Sequence, residues 1–284
     1  MLNLARFRAH RVPIVFGSLV LVVALAAPAV TVAATGGTAA AAAPQIPRAG
    51  NGLLFKSTCT PTHIAMDDPI VYPGQPGKSH SHVFFGNVTT DAASTYESLV
   101  GQATSCLISA DSAAYWIPAL YVDGKAVPPR FANAYYLANG ARGHITAFPA
   151  GLKVITGDSH ATTPQPTSIL GWKCASQLAG GLSSTPRVCP ANVNQVLVMR
   201  FPDCWNGRDL DSADHKSHLA IRVRGVCPAG FPVALPRLSL NVHYRLPGVT
   251  GVTLASGSVY SAHADFFNAW NQAVLVALVN RNLN

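Results

Sequence analysis

Charge is what this sequence has least of. Only 11% of its 284 residues are Asp, Glu, Lys or Arg, against about a quarter in an ordinary soluble protein, so solubility has to come from Ser, Thr, Asn and backbone-rich loops. A coiled coil needs charged heptads and is excluded. Disorder is excluded as well, because 49% of the chain is hydrophobic and a disordered chain lacks apolar side chains to bury. Lys and Arg form no run, which removes the electrostatic footprint of a nucleic-acid partner. No Cys-x-x-Cys spacing occurs, so a thiolate zinc site or a redox pair is the weaker reading of the cysteines. A Gly-x-Ser-x-Gly elbow, a Gly-rich phosphate loop and His-Glu-x-x-His are all missing, which disfavours elbow-type serine hydrolases and nucleotide enzymes. Glutamate is nearly absent too. Glu97 is the only one, so acid/base chemistry must use Asp or His.

What is present begins with an address. Arg6, Arg8 and Arg11 precede an apolar run from Ile14 to Val30, and Thr31-Val32-Ala33-Ala34 offers a small-residue cleavage site. Residues 1–34 therefore read as a signal peptide, with an uncleaved membrane anchor as the alternative because the run approaches the ~20 residues that span a bilayer. Loss of the three arginines leaves 17 basic residues against 12 acidic ones, a net charge of +5. Residues 35–50 are rich in Ala, Pro and Gly and suit a linker. Residues 51–284, with no internal repeat and no second linker, read as one extracellular domain. Its six cysteines are even in number, and export makes disulfides expected. Six cysteines allow 15 connectivities. Closing the short loops would pair Cys59 with Cys106, Cys174 with Cys189 and Cys204 with Cys227.

The body reads as strand and turn. Ala114–Val122 meets Asp123-Gly124, a dipeptide suited to a tight hairpin. Residues 194–201, 218–223, 237–244 and 251–260 are further short runs of Val, Leu, Ile and Tyr between Pro, Gly or Asn. Short strands without long intervening helices predict an all-β, disulfide-stapled sandwich or barrel. Two helices are the exceptions. Ser94-Thr95-Tyr96-Glu97 reads as a capping box opening a short helix that Gly101 closes. Asp265 reads as the cap of a C-terminal helix carrying Phe267, Trp270, Val274 and Leu278 on one stripe that Leu275, Val276 and Val279 widen.

Reactive side chains concentrate in three segments. In Ser79-His80-Ser81-His82, an extended backbone puts both imidazoles on one face. Between Asp203 and His218 four carboxylates and two histidines fall within sixteen residues. His263-Ala264-Asp265 repeats the spacing of two. A carboxylate beside an imidazole fixes its tautomer and raises its basicity, which serves proton transfer or metal ligation. The bland readings are that Asp203, Asp209 and Asp214 form turns, that Asp265 caps a helix, and that Trp205 and Trp270 are core. Asn87-Val88-Thr89 fits the glycosylation sequon.

These same residues carry a resemblance. Asp68–Gly74, Ser79–Asn87, Ala114–Pro118, Phe201–His218 and Ser261–Trp270 resemble, in order, motifs of a family of secreted actinobacterial and fungal proteins catalogued as a domain of unknown function. In fungal members a carbohydrate-binding cysteine-rich module can follow the domain, which implies a cell-wall or polysaccharide setting. This chain lacks that module, and it has Ser81-His82-Val83 where many members have Leu-His-Asp. The resemblance supplies no established reaction, catalytic residue or cofactor.

Two readings follow. In the first, the protein is an extracellular hydrolase or lyase acting on a cell-envelope polysaccharide. His215 or His263 is then the general acid or base, Asp214 or Asp265 its orienting partner, and His80, His82, Asp211 and His218 contact substrate. In the second it is a non-catalytic wall-binding or structural module. A divalent metal is the candidate cofactor, held by His80 and His82 with His218 or His263 and one Asp. The expected partner is an envelope glycan rather than nucleic acid or membrane, and the expected state is monomeric.

Overall fold

The computed structural model describes residues 53–177 and 180–284. The segments read as signal peptide and linker lie outside the described residues. In chain order the elements are β1 (Leu54–Cys59), β2 (Pro61–Ala65), β3 (His82–Gly86), α1 (Tyr96–Leu99), β4 (Ala114–Pro118), β5 (Leu120–Val122), β6 (Lys125–Ala126), β7 (Phe131–Leu137) and β8 (Lys153–Gly157). There follow β9 (Leu170–Cys174), β10 (Gln195–Arg200), β11 (Cys204–Trp205), β12 (Leu219–Ala220), β13 (Val233–Ala234), β14 (Arg237–Tyr244), β15 (Val252–Leu254), β16 (Gly257–Ser258), β17 (His263–Phe267) and α2 (Gln272–Asn282). The all-β expectation holds, with two short helices.

Two five-stranded antiparallel sheets dominate, one ordered β1-β7-β14-β10-β9 and the other β2-β3-β4-β17-β8. Alternation along a strand decides which residues reach the core between them. Val83, Phe85, Tyr115, Ile117, Val154, Ala264 and Phe266 of the second sheet join Phe55, Tyr136, Leu197, Met199, Leu238 and Leu240 of the first in one apolar cluster. Trp270 sits fully buried there and donates its indole N–H to the Tyr136 hydroxyl at 2.8 Å. Burying so large a side chain stabilises the fold by roughly 2–3 kcal/mol.

The opposite face of the second sheet carries the alternate residues. Phe84, Ala114, Trp116, Ile155 and Phe267 pack there against Ile70 and Leu99 in a second, smaller cluster. His82, His263 and Asp265 lie at even spacing from Phe84 and Phe267, so they share that face. This second face, covered by residues 66–80, is where the candidate site forms.

The three disulfides are Cys59–Cys106, Cys174–Cys189 and Cys204–Cys227, the short-loop pairing. The hairpin at Asp123-Gly124 joins β5 to β6, with positive φ at both residues (49° and 76°) as its turn type demands. Several expectations need correction. Asp265 does not cap a helix: it lies in β17, and Asn271 caps α2 by accepting the Val274 N–H. Leu275, Leu278 and Val279 bury that helix as expected, but Phe267 and Trp270 precede it. The capping box of α1 is Thr95 with Ser98, one residue later than expected, while the Ser94 hydroxyl bonds to Asp91. Residues 218–223 contribute only the two-residue strand β12. The sequon is spent internally, since the buried Asn87 side chain donates to the carbonyls of Leu99 and Ser112.

Candidate functional site

His82 and His263 belong to strands that flank β4 on either side. Cross-strand pairing sets His82 opposite Pro118 of β4 and Asp265 opposite Trp116, which brings His263 level with Pro118 too, so the two imidazoles stand on either side of β4 on one sheet face. Their Nε2 atoms are 3.4 Å apart. His80 arrives from the loop before β3 and brings its Nε2 to 3.2 Å from that of His263. The other ring nitrogens are tied to the main chain. His82 Nδ1 donates to the Asp67 carbonyl and His263 Nδ1 to the Ser261 carbonyl, each at 2.9 Å.

Two carboxylates lie against the histidines. Asp68, His82 and Asp265 present ligand atoms within 4.8 Å of one another. Asp68 Oδ1 accepts the N–H groups of Ile70 and Val71 at 2.9 Å, whereas Asp265 Oδ2 is buried with no hydrogen-bond partner. Burial sets the protonation behaviour of all five groups. It raises the Asp265 carboxyl well above the ordinary range, helped by the charge of Asp68, and raises Asp68 as well. Burial lowers His80, takes His82 well down and brings His263 to about 4. At neutral pH the three imidazoles are therefore uncharged, the form that ligates metals.

The His-rich face opens into a cleft with about 240 Å³ of room, lined by His80, His263, Asp68 and Asp265, by Asp214, His215 and Lys216, and by Asp158 and His160. All three sequence segments thus meet. Within the 211–218 turn the roles differ from those expected. His215, in left-handed backbone at φ 56°, donates from Nδ1 to Asp211 Oδ1 at 2.8 Å. Asp211, not Asp214, is its partner, and Lys153 Nζ sits 3.3 Å from the second Asp211 oxygen. Asp214 accepts the N–H groups of Ser217 and Lys216 and the Ser212 hydroxyl, which hold its carboxyl well below the usual range. It shapes the turn.

His218 is not brought into the cleft. It is buried, with Nε2 donating to the Lys153 carbonyl and Nδ1 facing the Ser212 hydroxyl, both at 2.8 Å. Asp203 and Asp209 are also placed elsewhere. Asp203, fully buried, accepts from the Arg222 N–H and from Arg237 Nη2, and Asp209 pairs with Arg208 and Asn206. Asp158 and His160 were missed by sequence reasoning, although their spacing of two repeats that of His263 and Asp265.

Fold and site together define a disulfide-stapled, antiparallel β protein with a His/Asp cleft on the outer face of one sheet. The family described as a domain of unknown function (DUF1996) matches residues 68–270, and the chain belongs to it. No curated protein and no solved structure matches the chain.

Proposed function

We propose that the protein is an exported enzyme that cleaves a cell-envelope polysaccharide by hydrolysis or elimination. The observation that carries this reading is convergence. His80, His215 and His263 with Asp265 come from three separate segments of the sequence, and they line one open cleft in a chain otherwise poor in charge. Export is supported by the three disulfides and by the apolar, Arg-flanked N-terminus. Among the described residues no helix is long and apolar enough to cross a membrane.

A polymeric substrate suits the surface. A second concavity, lined by Gln165, Pro202, Leu219 and Ile221, shares Ile155, Gly157, Asp158 and Lys216 with the first, so the groove continues past the histidines. In the proposed chemistry Asp211 fixes the His215 tautomer with the proton on Nδ1, leaving Nε2 as the base. In hydrolysis Nε2 takes a proton from water as its oxygen bonds to the anomeric carbon, and the proton returns to the departing sugar oxygen. In elimination Nε2 takes a proton from a ring carbon, a C–C double bond forms, and the C–O bond breaks with the proton passing to the leaving oxygen.

The test is a screen of purified protein on wall glycans, read as new reducing ends or as the ultraviolet absorbance of an unsaturated product. His215→Asn is the matched control, because Asn tolerates left-handed backbone but carries no base. Turnover that falls at least ~100-fold in this variant, at unchanged melting temperature, supports the reading. No product on any wall fraction with Zn²⁺ or Ca²⁺ added, or turnover indifferent to His215, removes it. The burial of His82, His263 and Asp265 favours the other reading, a non-catalytic wall-binding module. Retention on insoluble wall material without turnover would establish that one.

A further inference from the structure

We propose that His80, His82 and His263 form a divalent-metal centre of zinc type, with the Asp265 carboxylate as the compensating negative charge and one face open to the cleft. The first argument counts protons. A carbonyl oxygen can only accept, so the nitrogen facing it must carry hydrogen. The contacts to Asp67 and Ser261 therefore place the single proton of neutral His82 and of neutral His263 on Nδ1. Both Nε2 atoms are then bare lone pairs, and they face each other at 3.4 Å. A proton on His80 Nε2 could satisfy His263 at 3.2 Å, but it would leave His82 Nε2 buried against another acceptor.

Distance supplies the second argument. Four ligands at about 2.0–2.1 Å around a tetrahedral zinc ion stand about 3.3 Å from one another. The separations of 3.2 and 3.4 Å from His263 to its two neighbours bracket that edge length. The third argument is independent of the histidines. Asp265 Oδ2 is buried, unpartnered and part of a ligand-atom group that also contains His82. A buried carboxyl oxygen without a hydrogen-bond partner is costly, and a cation beside it would give that oxygen a partner. The carbonyl bonds to both Nδ1 atoms are the orienting contacts that metal-binding histidines usually have.

Among the described residues no other comparable set occurs. Cys59, Cys106 and Asp111 also cluster, but their sulfurs are joined in a disulfide. His80 is only half-buried and, like His263, lines the cleft, so an ion held by the three imidazoles would have a coordination position facing incoming water or a sugar hydroxyl.

The test uses protein purified without a histidine tag, stripped with a chelator and titrated with Zn²⁺ by calorimetry, and in parallel with Co²⁺ by visible absorption. One equivalent is expected at submicromolar Kd, with the intense visible bands of four-coordinate cobalt. His80→Ala, at a partly exposed loop position, should weaken binding at least ~100-fold, and His160→Ala should leave it unchanged. Less than a tenth of an equivalent bound to wild-type protein, or binding that follows His160 rather than His80, overturns the centre. Stoichiometric metal binding in a protein that turns over no glycan keeps the centre and removes the enzyme reading. Full glycan turnover by a protein that takes up less than a tenth of an equivalent does the reverse.

Discussion

Gly157 and His263 are paired across β8 and β17, and a methyl group placed on Gly157 would come within 2.5 Å of the Ala262 carbonyl oxygen and 2.9 Å of the His263 Cα. Gly157 also has φ +83°, a conformation that L side chains rarely adopt. The position of His263 is thus set by a backbone approach that only glycine permits.

Gly157→Ala should accordingly cost about 1–3 kcal/mol in urea unfolding and displace His263. Metal affinity should fall together with stability. A Gly157→Ala protein with wild-type stability and wild-type zinc binding would contradict the role given to this contact.

A second expectation concerns the Asp203 ion cluster, which lies outside the cleft. Arg222 and Arg237 are almost fully enclosed and depend on this carboxylate for charge balance. Asp203→Asn should lower stability by roughly 3–5 kcal/mol, since it strands two buried guanidinium groups. Activity per folded molecule should not change. Calorimetric melting beside a specific-activity assay checks both halves, and a loss of turnover in folded protein would return Asp203 to the site.

Stability should also depend on pH through Asp111. This fully buried carboxyl accepts the Tyr115 hydroxyl at 3.0 Å, and burial pushes its pKa from 3.8 up to about 7. Between those values the folded state holds a proton that the unfolded chain has released. Its stabilising contribution is therefore complete below about pH 4 and is lost as pH rises to about 7, to a total of roughly 4 kcal/mol. Asp111→Asn abolishes the ionisation and should be more stable than wild type at pH 8 while differing little at pH 4. Parallel stability curves for the two proteins between pH 4 and 8 would show that Asp111 does not titrate there.

How far this could be read from sequence varied by element. β14 was legible over its whole length because an apolar run there is bounded by Pro236 and Arg245-Leu246-Pro247. β17 was not, because all five of its residues are buried and period-two alternation vanishes when both faces are covered. Asp265 then passed for a helix cap. The spacing of two brought His80 and His82 together, but the third imidazole stayed open between His218 and His263, because it depends on β17 lying beside β4. The exchange of Asp214 for Asp211 as the partner of His215 was not legible, because it depends on a left-handed residue reversing the turn.

In the proposed centre the imidazoles of His80, His82 and His263 share one cation. Anomalous diffraction at the zinc edge, from crystals of chelator-treated protein soaked in one equivalent of Zn²⁺, tests it most directly. A single strong peak is expected about 2 Å from the Nε2 atoms of His80, His82 and His263, beside Asp265 and open to the cleft. Peaks confined to surface groups such as His160, with the three rings unchanged and no density between them, would contradict it.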